Sequence, residues 1–408
     1  MGASFRLFLN PRFVTAAAYP DPARQVVSLG ALDSAWEEAR RWPAYAPTPL
    51  HGLAALATEL EVAEILLKDE SERFGLGSFK AIGGAYGALR AVQSELRRRG
   101  VEADAVGLRN GRYRNETADI VLTCATDGNH GRALAWAARA LGCRCVVYVP
   151  RIVSAARRHA IEREGAVVIR VDGTYDEALH ASSTGAVKHR RLVVSDQSML
   201  GAEAIPRDIM QGYAIVVAEA MAAIADRAPP THVFVQAGVG GFAGAVCGYL
   251  WERCGAQRPR LVCVEPAAAD CLYRSAVAGR MATVPGNLDT VMGCLSCAEP
   301  STLGWTILEA GATAFMVVDD EQAIDAMKAV ARGDDERPGV VLGESGAAGL
   351  AGLMAVAVDE SAREQIGLDR SARVLLFGTE GANDPKRYEE LVGFAPEEVS
   401  AGKRSTLG

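Results

Sequence analysis

The segment THVFVQAGVGGFAG (231–244) reads as a strand over 231–236, a glycine-rich turn, and the start of a helix. Successive backbone amides in such a turn, at the positive end of the helix that follows, form a cradle for a phosphate dianion without any charged side chain. The same turn also suits a dinucleotide, and Glu265, about 20 residues further on, is an acid that could take a ribose hydroxyl.

Strand-like runs recur on either side of this segment, at 64–68, 119–124, 143–149, 166–171, 191–195, 260–265, 314–318 and 373–377, and they alternate with helical patterns. That alternation is the signature of βα units on a parallel sheet, whose strand-to-helix turns gather at the carboxyl edge and bind ligands there. One helix opens just after Lys80. Ile82, Tyr86, Leu89, Val92 and Leu96 share one face, Arg97, Arg98 and Arg99 suit the negative end of the macrodipole, and Gly100 can cap it. The stretch 101–118 carries no periodicity and reads as an exposed loop, and 400–408 reads as a frayed tail.

A chain of 408 residues can bury more than one core, and 49% apolar with 23% charged residues is a globular composition. The formal net charge of −7 opposes a phosphate backbone, so no nucleic-acid partner is expected. Nine scattered cysteines, an odd number, suggest reduced thiols and a cytoplasmic protein. The pairs Cys143/Cys145 and Cys294/Cys297 lack a second pair or a histidine cluster at zinc spacing, so no metal is expected. The opening MGASFRLFLNPRF lacks the apolar core and cleavage site of a signal peptide, and Arg6 breaks the myristoylation pattern. The apolar run 214–225 is interrupted by Glu219 and is too short to cross a bilayer, so no membrane partner is expected.

Three further turns carry chemistry. RFGLGSFK (73–80) sets Lys80 in the first turn of a helix, where the positive end of the dipole disfavours a cation and holds the amine nearer neutrality, as a Schiff-base nucleophile requires. In ATDGNHG (125–131), Gly128 and Gly131 let backbone N–H groups approach an anion, while Thr126, Asn129 and His130 can donate around a carboxylate. FGTEG (377–381) ends a strand at Thr379, whose hydroxyl can share a hydrogen bond with a ring nitrogen without protonating it fully. Each alone has an ordinary reading: a solvated lysine, an Asp-Gly turn with an asparagine cap, a threonine satisfying a strand end.

Taken in order, RFGLGSFKAIGGAY (73–86), ATDGNHGRALAWAA (125–138), IPRDIMQGYA (205–214), QAGVGGFAG (236–244), VEPAAADCLYRS (264–275), GESGAAGL (343–350) and TEG (379–381) resemble the fold-type II pyridoxal-phosphate enzymes. That family includes serine and threonine dehydratases and tryptophan synthase β-subunits, and within it the resemblance is to diaminopropionate ammonia-lyases. It implies an α/β fold of two open, twisted, mostly parallel sheets flanked by helices. A large cofactor-binding domain would cover 1–88 and 205–408 and a small α/β domain 89–204, with the active site in the cleft between them and a homodimer as the assembly.

The implied cofactor is pyridoxal 5'-phosphate, held by Lys80 as a Schiff base. Phe79 and Asn129 would flank its ring, Gly238, Val239, Gly240, Gly241 and Phe242 would bind its phosphate, and Thr379 would face the pyridine nitrogen. A neutral hydroxyl there withdraws fewer electrons than a carboxylate and favours prompt loss of a β-leaving group. Asp127 stands where most dehydratases of the family carry a small neutral residue. The resemblance implies that it takes the α-proton of a D-substrate while Lys80 serves the L-isomer. Asp196 matches a second family aspartate, and Thr126, Asp127, Gly128, His130 and Asp196 would surround a small amino-acid substrate. The implied reaction converts 2,3-diaminopropionate to pyruvate and two ammonia. One departure stands out: Met199 occupies the position of a family tryptophan, which loosens the inference from family to substrate. Glu344 is implied near the ring without a role. The alternatives are elimination or replacement on serine, threonine, a hydroxyaspartate or another diamino acid, a binding protein that keeps the fold without catalysis, and, more distantly, a nicotinamide oxidoreductase.

Overall fold

The structure is a computed structural model that describes residues 5–15, 18–126, 128–198, 201–333 and 338–401. Its strands are β1 (Arg6–Leu9), β2 (Leu50–Gly52), β3 (Glu64–Asp69), β4 (Val121–Ala125), β5 (Arg144–Pro150), β6 (Val167–Val171), β7 (Leu192–Val193), β8 (His232–Gln236), β9 (Arg260–Pro266), β10 (Ala314–Val318) and β11 (Arg373–Gly378). They make two sheets, one in the order β1-β10-β9-β8-β11-β3-β2 and one in the order β6-β5-β4-β7. In the larger sheet β10, β9, β8, β11 and β3 are parallel, with antiparallel β1 and β2 at its edges. The smaller sheet is parallel throughout.

The chain divides into two compact units. One comprises Met1–Leu29, Pro47–Glu72 and Val216–Gly408 and contains the seven-stranded sheet; the other comprises Gly30–Ala46 and Arg73–Ile215 and contains the four-stranded one. The helix Lys80–Arg98 therefore belongs to the four-stranded unit.

In the seven-stranded unit β8, β9 and β10 are buried almost end to end, because helices cover both faces of a parallel sheet. Phe234, Val262, Val264, Met316 and Leu376 lie in one cluster with Leu350, Ala351 and Leu353 of the helix Ala348–Ala357. In the four-stranded unit the helices Lys80–Arg98 and Asn129–Leu141 approach closely: a Cβ on Gly84 would stand 3.1 Å from Ala133 Cβ. Small residues on both faces permit that approach.

Each sheet has one point where the strand order reverses. From β8 the chain proceeds to β9 on one side, while β11 adds on the other; from β4 it proceeds to β5, while β7 adds on the other side. Such switch points open a crevice at the carboxyl ends of the strands. The glycine-rich turn follows β8 and Thr379 follows β11, whereas Thr126 follows β4 and Asp196 lies just beyond β7.

Three expectations need correction. β1 and β2, absent from the sequence reading, are edge strands of four and three residues with partly exposed side chains, too short to show alternation. The expected loop at 101–118 contains two short helices, Ala105–Arg109 and Arg114–Thr117, the first capped by Asp104, which accepts from Gly107 N at 2.7 Å. Leu108 and Thr117 are buried, so the segment is anchored. Of the expected strand 191–195, only Leu192–Val193 pairs. Among the described residues no helix is long and apolar enough to cross a membrane. Glu219, which breaks the apolar run in Ala204–Ala223, forms a buried ion pair with Lys68 at 2.7 Å.

Candidate active site

In the four-stranded unit the turn after β4 is built by its own side chains. Thr126 Oγ1 accepts from Gly128 N at 3.0 Å and from Gly131 N at 3.2 Å, which folds the chain back into the helix Asn129–Leu141. Gly128 has φ 143° and ψ −66°, a conformation that L side chains rarely adopt. A Cβ on Gly131 would lie 2.4 Å from Thr126 Cγ2 and 2.8 Å from Val147 Cγ1. The N-cap residue, Gly128, has no side chain to cap the helix, and Thr126 Oγ1 takes the Gly131 amide in its place. His130 Nε2 donates to Val194 O at 2.7 Å, tying this turn to the segment after β7. The carbonyl can only accept, so in a neutral His130 the other nitrogen, Nδ1, is an acceptor, and it has no hydrogen-bond partner among the described residues. His130 is thus less suited to donate to a carboxylate than its place in the motif suggests. Asp127 and Met199 lie outside the described residues.

Lys80 is the first residue of its helix, delivered there by a turn in which Phe74, Gly75 and Gly77 have φ of 53°, 70° and 76°. Its Nζ makes an ion pair with the Asp196 carboxylate, 5.2 Å from the Phe79 ring centroid and 5.5 Å from that of Tyr213. Tyr213 OH lies 3.4 Å from the same Asp196 oxygen, and its ring tilts against Phe79 at 4.7 Å. Burial by itself would raise the Asp196 carboxyl, but Lys80 and His130 outweigh it and hold the group well below the usual carboxylate range. Burial pushes the Tyr213 phenol well above its ordinary value. At neutral pH the cluster therefore presents a carboxylate and a protonated phenol around the amine.

In the seven-stranded unit the turn after β8 is bare backbone. Gly240 has φ 91° and precedes the helix Gly241–Cys254, so Gly241 and Phe242 form its first turn rather than a loop. Here again no side chain caps the helix. A Cβ on Gly238 would stand 3.0 Å from Cys297 Sγ and 3.3 Å from Leu295 Cα, and one on Gly304 would reach 2.7 Å from Gly240 O. Ser301 N donates to Val239 O at 2.7 Å, fixing the turn from outside. Phe242 packs edge-on to Phe377 at 5.4 Å.

Thr379, beyond β11, is buried and accepts from Gln236 Nε2 at 2.7 Å. The GESG and TEG motifs brace each other: Gly343 N donates to Glu380 O at 2.9 Å, Ser345 N donates to Glu380 Oε1 at 3.1 Å, and a Cβ on Gly343 would lie 2.4 Å from Gly381 O. Glu344 is buried nearby, with no chemical role that its geometry defines.

Glu265 is occupied elsewhere. Its carboxyl accepts from Leu272 N at 2.8 Å and Tyr273 N at 2.7 Å at the head of the helix Cys271–Ala278, which takes it away from any ribose. Burial pushes it up to about 8 against the pull of those two donors. The folded protein then keeps a proton that the unfolded chain releases, so the stabilisation is complete below the ordinary glutamate value and is lost as pH rises through about 8. Glu265→Gln is expected to flatten the fall in thermal midpoint between about pH 5 and about pH 8. An unchanged slope would exclude Glu265 as its source.

These two constellations fit the group that the sequence implies. A glycine turn with uncapped helix amides suits a phosphate dianion, a buried hydroxyl suits a ring nitrogen, and a lysine amine held by an acid suits an aldehyde. Gln236, Tyr213 and Glu380 join these constellations without any local pattern that assigns them a role. The one signal in the sequence is a polar residue closing the otherwise apolar end of a buried strand, at Gln236.

Comparison with known proteins agrees. Residues 41–377 match the model of the family described as pyridoxal-phosphate dependent enzyme. The chain belongs to that family, and its cofactor is pyridoxal 5'-phosphate. It is 40% identical over 353 residues to the diaminopropionate ammonia-lyase of Escherichia coli, covering 85% of this chain and 87% of that one. The crystal structure of the selenomethionine-incorporated holo form of diaminopropionate ammonia-lyase from E. coli superposes with a TM-score of 0.88 at 36% identity, covering 96% of this chain and 97% of that one. The same E. coli enzyme in complex with an aminoacrylate-PLP azomethine reaction intermediate gives 0.86 at 35% identity with the same coverage.

Proposed function

We propose that this chain removes the β-amino group of 2,3-diaminopropionate, so that one substrate and one water yield pyruvate and two ammonia. The observation that carries this reading is the ion pair of Lys80 with Asp196, in a chain 40% identical to a diaminopropionate ammonia-lyase over most of its length. Bound pyridoxal phosphate supplies an electron sink that makes the α-proton of an amino acid removable.

The remaining work falls to the protein. Lys80 provides the amine that joins the cofactor aldehyde and takes the α-proton of the L-isomer. Asp127 takes it from the D-isomer. Asp196 orients Lys80 and meets the substrate β-ammonium, a charge that a serine or threonine substrate lacks. The turn of Thr126, Gly128 and His130 receives the substrate carboxylate on its backbone rather than on the His130 ring, while Phe79 and Asn129 flank the cofactor ring. Gly238, Val239, Gly240, Gly241 and Phe242 hold the phosphate, and Thr379 meets the ring nitrogen.

Pyruvate release from L- and D-2,3-diaminopropionate and from L- and D-serine tests the assignment. Diaminopropionate is expected to lead in kcat/KM by about 100-fold, the scale of one charge-assisted hydrogen bond. Equal or faster turnover of serine would move the chain to the dehydratases. In the same assay Asp127→Asn is expected to lose the D-isomer and keep the L-isomer; undiminished D-turnover would remove Asp127 from proton transfer.

A further inference from the structure

We propose that Gln236 is a positioning residue that commits the Thr379 hydroxyl to donating its proton, and so keeps the cofactor ring nitrogen unprotonated. The inference rests on the cofactor assignment above, but concerns a residue and a protonation state that the assignment leaves open.

Gln236 closes β8, and its buried amide lies across the end of β11. Nε2 stands 2.6 Å from Phe377 O, 3.1 Å from Gly346 O and 2.7 Å from Thr379 Oγ1. Two of these partners are backbone carbonyls, which only accept, so the nitrogen of the amide must face them. The flipped amide would set oxygen against oxygen in a buried site. An amide nitrogen does not accept a hydrogen bond and carries two hydrogens; the two short contacts, to Phe377 O and Thr379 Oγ1, take them, Gly346 O shares one at 3.1 Å, and Thr379 Oγ1 is thus an acceptor.

The consequence is directional. One lone pair of Thr379 is spent on Gln236, its hydrogen is not, and among the described residues no other side-chain hydrogen bond reaches this hydroxyl. Glu380, the adjacent acid, turns its carboxylate to Ser345 N at 3.1 Å and Cys294 Sγ at 3.5 Å. A ring nitrogen with a free lone pair would receive the Thr379 proton. A protonated ring nitrogen would itself need an acceptor and would strand the hydroxyl hydrogen in a buried position. The unprotonated ring is the weaker electron sink, so a β-leaving group is expelled before the α-carbon can recapture a proton.

Gln236→Glu keeps the shape and reverses the direction. Held between two carbonyls, the new side chain keeps a proton for one of them and offers Thr379 an acceptor, which turns the hydroxyl to donate inward and accept from the ring. Gln236→Met removes the donor, so nothing commits the Thr379 lone pair and the hydroxyl is left able to accept from the ring, which acts in the same sense.

The test is nitrogen-15 NMR of holoenzyme reconstituted with pyridoxal phosphate labelled at the ring nitrogen, alongside exchange of the substrate α-proton with solvent. Wild type is expected in the unprotonated range. Both variants are expected to move toward the pyridinium range, with α-proton exchange relative to elimination rising about tenfold, the equivalent of one hydrogen bond. A protonated ring in wild type, or variants with the wild-type resonance and partition, overturns the role of Gln236 alone. A wild-type protein that takes up no cofactor overturns the reading beneath it as well. Gln236→Met preserves the test where Gln236→Glu does not fold.

Discussion

Replacing Lys80 by alanine is expected to abolish the visible absorption of the bound cofactor and product formation together. Alanine is the best helix former, so the helix Lys80–Arg98 should persist and the loss should be chemical rather than conformational. The amine is a partly buried group, 18% exposed, facing an Asp196 side chain that is 14% exposed. Its removal leaves that carboxylate without its ion-pair partner, at a cost of about 2 kcal/mol in stability, between the values for surface and fully buried pairs. Turnover should fall by at least about 10⁴-fold, the scale seen when a covalent catalytic group is deleted.

Acid titration of the cofactor-free proteins gives an independent reading. Asp196 is held below the usual carboxylate range by Lys80, so its stabilisation is present above the ordinary aspartate value and is lost only as pH falls through the lowered one. In Lys80→Ala burial, which raises the carboxyl, loses its main opponent, so this acid-side loss should shrink. A variant that stays coloured and active would dismiss Lys80 from the chemistry, and an unshifted acid transition would dismiss its coupling to Asp196.

The features that the sequence makes legible are those whose cause is local. The Lys80 helix announces itself by its apolar stripe and by Gly100, which has φ 82° just past the last turn. β8, β9 and β10 are readable because strands buried on both faces become continuous apolar runs. The glycine turn after β8 and the turn after β4 are readable because both need conformations or close approaches that a side chain forbids. What stays hidden is set by contacts between distant segments. Asp196 reaches Lys80 across 116 residues, and Gln236 reaches Thr379 across 143, so neither pairing leaves a spacing to detect. β1 and β2 stay hidden for a different reason, since edge strands of three or four residues carry too few side chains to establish a period.

A single methyl group at Gly212 is expected to cost about 3 kcal/mol, at the upper end of overpacking penalties. Its Cβ would stand 2.6 Å from Gly83 Cα, 3.1 Å from Ile82 O and 3.2 Å from Gly83 N, all backbone atoms that no rotamer change can move aside. Gly83 is equally confined, since a Cβ there would meet the Tyr213 ring at 2.3 Å and Ile209 O at 2.8 Å, and one on Gly87 would meet Ile209 Cγ1 at 2.4 Å. The helices Lys80–Arg98 and Ala204–Ala223 are thus held together by glycines over more than one turn, beginning three residues after Lys80. Gly212→Ala must part them, carrying Lys80 away from Asp196. A misplacement of about 1 Å at a reacting group costs on the order of 100-fold in rate. The expected variant therefore binds cofactor through an intact lysine, melts early and turns over slowly. Gly30→Ala is the matched control, because a Cβ at Gly30, inside the helix Leu29–Arg40, meets nothing within 4 Å. It should gain about 0.5–1 kcal/mol from the stiffer unfolded chain. If Gly212→Ala melted with wild type while Gly30→Ala rose, the two helices would be able to separate without cost, and the position of Lys80 would have to be fixed by the turn that precedes it instead.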